Sequence, residues 1–194
     1  MLAYDADLEL FRDNFKRFMN EHVAPHYEQW EQEGIMPRSI WNALGENGFL
    51  CVDVPEEYGG YGVPTHYSLM LVEESARAGF SALSTGISCH SEIAAPYILH
   101  IGSEEQKQYW LPKMVSGEVV GPIGMTETGA GSDLQAMRTN AILQGDYYLL
   151  NGSKTFISNG QHADVVILAA KTDPQARAKG VSLLLLDTHL EGFK

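Results

Sequence analysis

The chain has 194 residues, 44% of them hydrophobic and 20% charged, which is the composition of a globular protein with a packed core. Its 25 acidic and 13 basic residues give a formal net charge of −12, which argues against nucleic acid or an anionic membrane surface as a partner. The longest apolar runs, at residues 165–170 and 181–186, are far shorter than the ~20 residues of a membrane-spanning helix, so no integral membrane segment is expected.

The first part of the chain carries the three- and four-residue apolar spacing of amphipathic helices. This spacing predicts a helix over residues 8–22, and flanking proline and glycine predict another over residues 38–47. Residues 81–101 are apolar almost all round, which predicts a buried helix. Ser103 and Gln106 form a capping box, which predicts the start of a further helix.

One more helix is predicted between Thr65 and Gly79. Thr65 is a suitable N-cap residue, because its side-chain oxygen can accept a hydrogen bond from the first turn. Gly79 is a suitable stop signal for the other end. Leu69, Val72 and Ala76 form the apolar side of this predicted helix.

After residue 117 the pattern changes to short strands separated by turns. Residues 141–143 and 147–151 flank Gln-Gly-Asp and predict a hairpin, with residues 154–158 following as another strand. The Val/Ile/Leu runs at 164–171 and 181–187 predict buried strands.

Helices followed by strands predict an α+β fold rather than alternating βαβ units. We expect an all-helical bundle over residues 1–117 and a mainly antiparallel β-domain over residues 118–194. The change of pattern between them coincides with a glycine-rich stretch, so that stretch is the first place to look for a binding site.

The glycine-rich stretch covers residues 121–133. Gly129 and Gly131 let backbone amides approach a ligand closely, and Thr126 and Ser132 add hydroxyl groups. Such a loop suits a phosphate or a flat heterocycle, although a simple turn between domains has the same composition. Two known phosphate motifs are excluded, because the P-loop lysine is missing and Leu134 replaces the third glycine of a dinucleotide fingerprint.

The run from Met125 to Asp133, Met-Thr-Glu-Thr-Gly-Ala-Gly-Ser-Asp, resembles a signature of the acyl-CoA dehydrogenase family. The run from Asn151 to Gly160, Asn-Gly-Ser-Lys-Thr-Phe-Ile-Ser-Asn-Gly, resembles a second signature at the expected spacing. Residues 55–60 and 102–107 also match the family's helical half. The resemblance covers essentially the whole chain and is most similar in wording to long-chain-type members.

The resemblance implies an FAD enzyme that oxidises acyl-CoA thioesters to trans-2-enoyl-CoA, as in fatty-acid β-oxidation. In the family a carboxylate removes the α proton while the β hydride passes to the flavin, which carries the redox chemistry. The family's β-domain continues beyond the position of Lys194, and a C-terminal helical bundle with the catalytic carboxylate follows. This chain therefore resembles an N-terminal helical domain with an incomplete, barrel-like middle domain, and no catalytic residue is expected in it.

The resemblance also implies which residues bind the flavin. Thr126 would donate to the pyrimidine side of the ring system, the Ser158 hydroxyl would lie near N5, and Ser132 would reach the pantetheine–phosphate end of the substrate. Two positions depart from the family pattern, since Thr128 stands where proline is usual and Phe156 where tryptophan is frequent. The expected cofactor-binding residues are Ile123, Met125, Thr126, Gly129, Gly131, Ser132, Phe156, Ile157 and Ser158, with Ser132 also binding substrate.

The other polar residues are expected to have structural roles or to be solvated, rather than to take part in catalysis or metal binding. Glu127 is expected to order its loop rather than to abstract a proton. Lys154 is expected to be solvated, with contact to a phosphate as the alternative. His22 and His26 have Pro25 between them and no third ligand nearby, so no metal site is expected.

The resemblance implies acyl-CoA as substrate, an electron-transferring flavoprotein as partner and a homo-oligomer. Cys51 and Cys89 show neither metal spacing nor a disulfide framework, which indicates a reducing compartment. The start of the chain lacks a targeting pattern, so we expect a cytoplasmic bacterial protein or a processed one of the mitochondrial matrix. Two alternatives stay open: an acyl-CoA oxidase or flavin monooxygenase relative, and a non-catalytic module of the same fold.

Overall fold

A computed structural model describes residues 6–194, which divide into two units between Val120 and Gly121. The first unit is helical and the second carries the strands, so the expected α+β class is confirmed. Within the described residues, no helix combines the length and the apolar character that crossing a bilayer requires.

Most helices of the first unit lie where the apolar spacing predicts them, whereas the helix at Tyr27–Glu33 was not predicted. The predicted helices at residues 8–22 and 81–101 are confirmed, and each is continuous through a wider π-helical stretch, Met19–Val23 and Ser88–Ala94. Their bounds are α1 (Ala6–Phe18), α2 (Tyr27–Glu33), α3 (Arg38–Glu46), α4 (His66–Arg77), α5 (Ser81–Ile87), α6 (Ala95–Ile101) and α7 (Glu104–Val115), with a 3-10 turn at Glu56–Tyr58.

Helix α7 begins with the capping box that its sequence predicts. The Ser103 hydroxyl accepts from the Gln106 amide at 3.2 Å, and the Gln106 side chain accepts from the Ser103 amide at 2.9 Å. Two backbone N–H groups that the helix cannot satisfy internally are thereby paired.

Aromatic rings join α1 to the chain after α3. The ring of Phe49 lies 5.4 Å from that of Phe11, 5.0 Å from Phe15 and 5.3 Å from Phe18. Such tilted and edge-on pairs add to the free energy that burial of the rings supplies. The fully buried side chains of this core include Leu8, Phe15, Trp41, Leu44, Leu71, Leu83, Ile87, Ile98 and Leu111.

Helix α4 differs from its prediction in two ways. Thr65 makes no side-chain capping bond, because its own backbone is already α-helical (φ −51°, ψ −23°) and an N-cap residue needs an extended one. The prediction of its apolar side is also wrong, because Leu69 is exposed whereas Leu71 and Glu74 are buried. Glu74 is stabilised there by two cations of α1, which approach within 3.4 and 3.5 Å.

The second unit is a mixed five-stranded sheet in which antiparallel pairs dominate. Strand β4 is buried except at its last residue, Lys171. It pairs antiparallel with β5 along its whole length, and parallel with β1 and with the first residue of β2. The predicted hairpin is β2 with β3. The bounds are β1 (Ile123–Gly124), β2 (Asn140–Gln144), β3 (Tyr147–Asn151), β4 (Val165–Lys171) and β5 (Val181–Asp187).

Two strand predictions need correction. Residues 154–158 are not a strand but a loop, because Phe156 adopts a left-handed φ of +55° that interrupts extended backbone. Strand β5 was expected to be buried, yet its side chains are mostly half-buried, whereas those of β4 are buried. Within the described residues β5 pairs with β4 alone, so one of its edges is uncovered.

The sheet positions the glycine-rich loop. Val166, Leu168 and Ala170 of β4 pack on one face with Ala141. Ala169 lies on the other face, where it forms a small cluster with Ala130, in the middle of the loop that follows β1, and with Met137, near the end of that loop.

Candidate functional site

The glycine-rich loop leaves β1 and is anchored at two points. Ala130 and Met137 are 3% and 2% exposed and pack with Ala169. Gly129 and Gly131 stand on either side of Ala130 and are both exposed. Because Ala130 points into the core, the backbone on either side of it is presented outward.

A tight turn holds this part of the loop. The Glu127 amide donates to the Ala130 carbonyl at 2.9 Å, and the Ala130 amide donates back to the Glu127 carbonyl at 3.1 Å. Thr128 and Gly129 are the two residues between them. The turn is therefore closed by two backbone hydrogen bonds of the protein itself.

Within residues 6–194, neither steric crowding nor a left-handed φ requires glycine at positions 129 and 131. Neither has a left-handed φ, and a Cβ atom built on either one meets nothing within 4 Å. Elsewhere the structure shows what a required glycine looks like, since a Cβ on Gly60 would lie 1.9 Å from the Val54 carbonyl. Open space beside two bare backbone positions fits a ligand that must approach the main chain closely.

A second loop, residues 152–160, lies beside the first. Its Thr155 amide donates to the Thr126 carbonyl at 2.9 Å. The next residue, Phe156, is 93% exposed and has a φ of +55°. A left-handed φ costs a residue with a side chain about 1–2 kcal/mol, and such strain concentrates at binding sites. An exposed aromatic ring held in this way is suited to stack on a flat ligand.

A half-buried carboxylate joins the two loops. Glu127 accepts from the Arg138 amide at 2.6 Å, from the Thr139 amide at 3.0 Å and from Lys154 Nζ at 2.9 Å. Lys154 Nζ also donates to the Met125 carbonyl at 3.0 Å. Burial alone would raise the pKa of Glu127, but its hydrogen bonds from Arg138, Lys154 and Thr139 lower it to about 2. A carboxylate with so low a pKa is a poor proton acceptor near neutrality, which agrees with the structural role expected for Glu127.

Eight of the nine expected cofactor-binding residues lie on these two loops of the second unit, and the ninth, Ile123, lies in the strand that leads into the first loop. Ile123 is in β1 and is half-buried, as are Met125 and Thr126 directly after it. The remaining residues differ in exposure: Ile157 is half-buried, whereas Gly129, Gly131, Ser132, Phe156 and Ser158 are exposed. The bond between Thr155 and Thr126 brings the two predicted groups together.

Lys154 is the functional candidate that the sequence interpretation missed. It was expected to be solvated, yet its side chain is 9% exposed and paired with Glu127. Glu127 lies in the first signature run and Lys154 in the second. Their pairing could have been predicted only by considering the two runs together, because neither run alone shows that the two residues are in contact. In residues 6–194 no group of three His, Cys, Asp or Glu side chains is arranged to hold a metal ion.

Comparison with known families agrees with this arrangement. Residues 5–118 match the model of the acyl-CoA dehydrogenase N-terminal domain, and residues 122–194 match that of its middle domain. The chain belongs to the acyl-CoA dehydrogenase family. The glycine-rich loop after β1 and the loop of residues 152–160 both fall within the part that matches the middle domain.

Individual members of the family are similar over almost the whole chain. The mitochondrial long-chain specific acyl-CoA dehydrogenase of Sus scrofa is 41% identical over 98% of this chain, which spans 44% of that protein. A crystal structure of an acyl-CoA dehydrogenase from Geobacillus kaustophilus is 48% identical, with a TM-score of 0.94 over 98% of this chain and 50% of its own.

A third similar protein is an acyl-CoA dehydrogenase from Bacillus anthracis, solved in complex with FAD. It is 31% identical, with a TM-score of 0.87 over 98% of this chain and 33% of its own. This chain thus spans half or less of the length of these relatives.

Proposed function

We propose that this chain binds FAD on the two loops of its second unit and supplies the cofactor-binding part of an acyl-CoA dehydrogenase. The observation that carries the proposal is Phe156, a nearly fully exposed aromatic ring held at a left-handed φ beside the Thr126 segment. The open space at Gly129 and Gly131 supports it, and so does the FAD complex of the similar Bacillus anthracis enzyme.

Each loop has its own task in this proposal. Phe156 and Ile157 pack against the ring system, and the exposed Ser158 hydroxyl offers a hydrogen bond to it. Thr126 donates to the side of the ring where negative charge collects on reduction. Gly129 and Gly131 let the backbone lie close to the bound group. When bound, FAD accepts a hydride in the α,β-dehydrogenation of an acyl-CoA thioester.

The proton-abstracting carboxylate of this reaction is not among the residues of the two loops. Glu127 is their only half-buried carboxylate, and its hydrogen bonds and pKa of about 2 disqualify it as a base. We place the base outside these 194 residues, as the family resemblance implies. Ser132 is exposed and free to contact the pantetheine–phosphate end of an acyl-CoA.

Partners and assembly complete the proposal. We expect an electron-transferring flavoprotein to accept the electrons and the chain to act within a homo-oligomer, in the cytoplasm or the mitochondrial matrix. These expectations rest on the family resemblance and on the mitochondrial relative, and each is open to its own measurement.

The test is the visible absorption spectrum of the 194-residue chain after incubation with FAD and gel filtration. A retained flavin band supports the proposal, and a colourless protein that is folded by circular dichroism contradicts it. An acyl-CoA is then added without oxygen. An unbleached band agrees with the missing base, whereas bleaching shows that the chain holds a complete site and that the base was wrongly excluded.

A further inference from the structure

We propose that Glu127 and Lys154 are a positioning pair that sets the spacing between the two cofactor loops. This inference rests on the proposed FAD site, since positioning is defined toward that site. Neither residue needs to touch the cofactor for the inference to hold. Lys154 was expected to be solvated, so this role is not one that its sequence pattern indicates.

The Lys154 amino group is held between two acceptors of the first loop. It donates to Glu127 Oε1 at 2.9 Å and to the Met125 carbonyl at 3.0 Å. These two acceptors flank Thr126, whose own carbonyl accepts from the Thr155 amide at 2.9 Å. Three consecutive residues of the first loop are thus bound by two consecutive residues of the second. A shift of either loop along the other breaks all three bonds together.

The Glu127 carboxylate also binds backbone amides of its own loop. Glu127 also accepts from the amides of Arg138 and Thr139, at 2.6 and 3.0 Å. These residues come directly before β2, at the far end of the glycine-rich loop. One carboxylate therefore connects the start of the loop, its end and the neighbouring loop. Its links to Arg138 and Thr139 are independent of Lys154, so the two functions can be separated by mutation.

The charged pair is largely shielded from water. The side chains of Glu127 and Lys154 are each 9% exposed. Charge pairs at an exposed surface contribute little free energy to stability, because water competes with them. Both Glu127 oxygens are bonded and Lys154 Nζ makes two of its three possible bonds, so the pair restricts its neighbours. Removing one partner leaves the other as an uncompensated charge that is largely shielded from water. The position of Phe156, two residues after Lys154, follows from where this pair holds the chain.

The experiment compares Lys154→Met, which keeps the apolar stem but removes the donors, with Lys154→Arg, which keeps a cation and its donors. Lys179→Met is the control, because it removes an exposed lysine of the same unit, on the turn Arg177–Gly180. FAD affinity is measured by quenching of flavin fluorescence, at a temperature where circular dichroism shows each variant to be folded. Amide hydrogen exchange of Thr155 is measured in the chain without flavin.

We expect Lys154→Met to weaken FAD binding at least about tenfold, with Lys154→Arg within about threefold and Lys179→Met unchanged, which corresponds to losing one or two good hydrogen bonds at the site. The Thr155 amide should exchange faster in Lys154→Met while amides of β4 keep their protection. Unchanged FAD affinity together with unchanged Thr155 exchange overturns the inference. So does a uniform loss of protection across the sheet, which would make the pair a general stabiliser.

The experiment also covers a variant that does not fold and a wild-type chain that binds no FAD. If Lys154→Met does not fold, Glu127→Gln replaces it, because the amide oxygen still accepts from a backbone N–H while the ion pair is lost. If the wild-type chain binds no FAD, the proposed function fails, and the exchange of the Thr155 amide alone then shows whether the pair holds the loops together.

Discussion

The Thr155 amide donates to the Thr126 carbonyl at 2.9 Å, and this bond joins the two loops whose sequences resemble the family signatures. Phe156 follows on one loop, and Gly129 and Gly131 lie on the other. The protein's own backbone thus holds both halves of the proposed site together, and a site held by bonds within the protein loses less conformational freedom when its ligand arrives.

Gly131→Ala separates ligand binding from folding. A Cβ at this position meets nothing within 4 Å and needs no left-handed φ, so the folded chain has room for it. The unfolded chain loses conformational freedom, and stability should rise by about 0.4–1 kcal/mol. FAD affinity should nevertheless fall about tenfold or more, because the added methyl group occupies ligand space. Thermal melting and flavin titration measure the two effects, and a variant with normal FAD affinity would show that the open space is not used.

Phe156→Gly should make the chain more stable and a worse flavoprotein. Glycine accepts a φ of +55° without strain, which should raise the free energy of unfolding by about 1 kcal/mol. The ring is 93% exposed, so its removal costs little packing. Phe193→Ala is the matched loss of a ring elsewhere in the unit. If Phe156→Gly melts earlier than wild type or keeps full FAD affinity, the ring is not a strained ligand platform.

His90 should make the first unit less stable as the pH falls. It is fully buried, with Nε2 3.0 Å from the Met114 carbonyl, and burial lowers its pKa to about 4. The unfolded chain binds its proton from about pH 6.5 downward, so stability is complete above that pH and is lost toward pH 4, by about 3 kcal/mol. In His90→Gln this part of the pH dependence should vanish, while His26→Gln, at an exposed histidine, should retain it. Denaturant unfolding between pH 4 and 7 gives the comparison.

Glu92 should have the opposite effect. Its carboxyl accepts from the Ser68 hydroxyl, and burial, aided by nearby Asp53, raises its pKa to about 7. The folded chain therefore binds a proton that the unfolded chain releases near pH 4.5, and stability falls as the pH rises from there to 7.

Glu92→Gln removes this cost while keeping an oxygen for Ser68. It should stabilise the chain by about 2 kcal/mol at pH 8 and by little at pH 4.5. Glu105→Gln, at an exposed position of α7, is the control and should change neither value. An equal effect of Glu92→Gln at both pH values would mean that its charge is not what destabilises the chain.

Periodicity predicted most elements of the fold, and it was wrong where long-range contacts decide. Leu69 and Leu71 each begin a plausible apolar side of α4, and the choice falls to the side with Glu74 because cations of α1 pair with it. Helix α2 was missed because it has few apolar residues, and Tyr27 stabilises it through a bond from the Ala82 amide at 2.9 Å. Neither contact is visible in local sequence.

The candidate site was predictable in its residues but not in its geometry. Two runs of sequence indicated both loops, yet residues 154–158 read as a strand, because alternation does not reveal the left-handed φ of Phe156. Lys154 looked solvated because its partner Glu127 lies on the other loop. The contact that decides the environment of Lys154 thus joins two positions distant in the chain.

Strand β4 also sets the order in which a growing chain can complete this unit. The β2–β3 hairpin closes a two-residue turn between Gln144 and Tyr147, and hairpins of this kind form within microseconds. Pairing of Ile123 with Ile167 encloses the whole hairpin, and its closure entropy is correspondingly larger. Ala130 has its buried neighbour Ala169 only once β4 has been synthesised. During translation the glycine-rich loop is therefore complete as a sequence well before the ribosome has made the strand that anchors it.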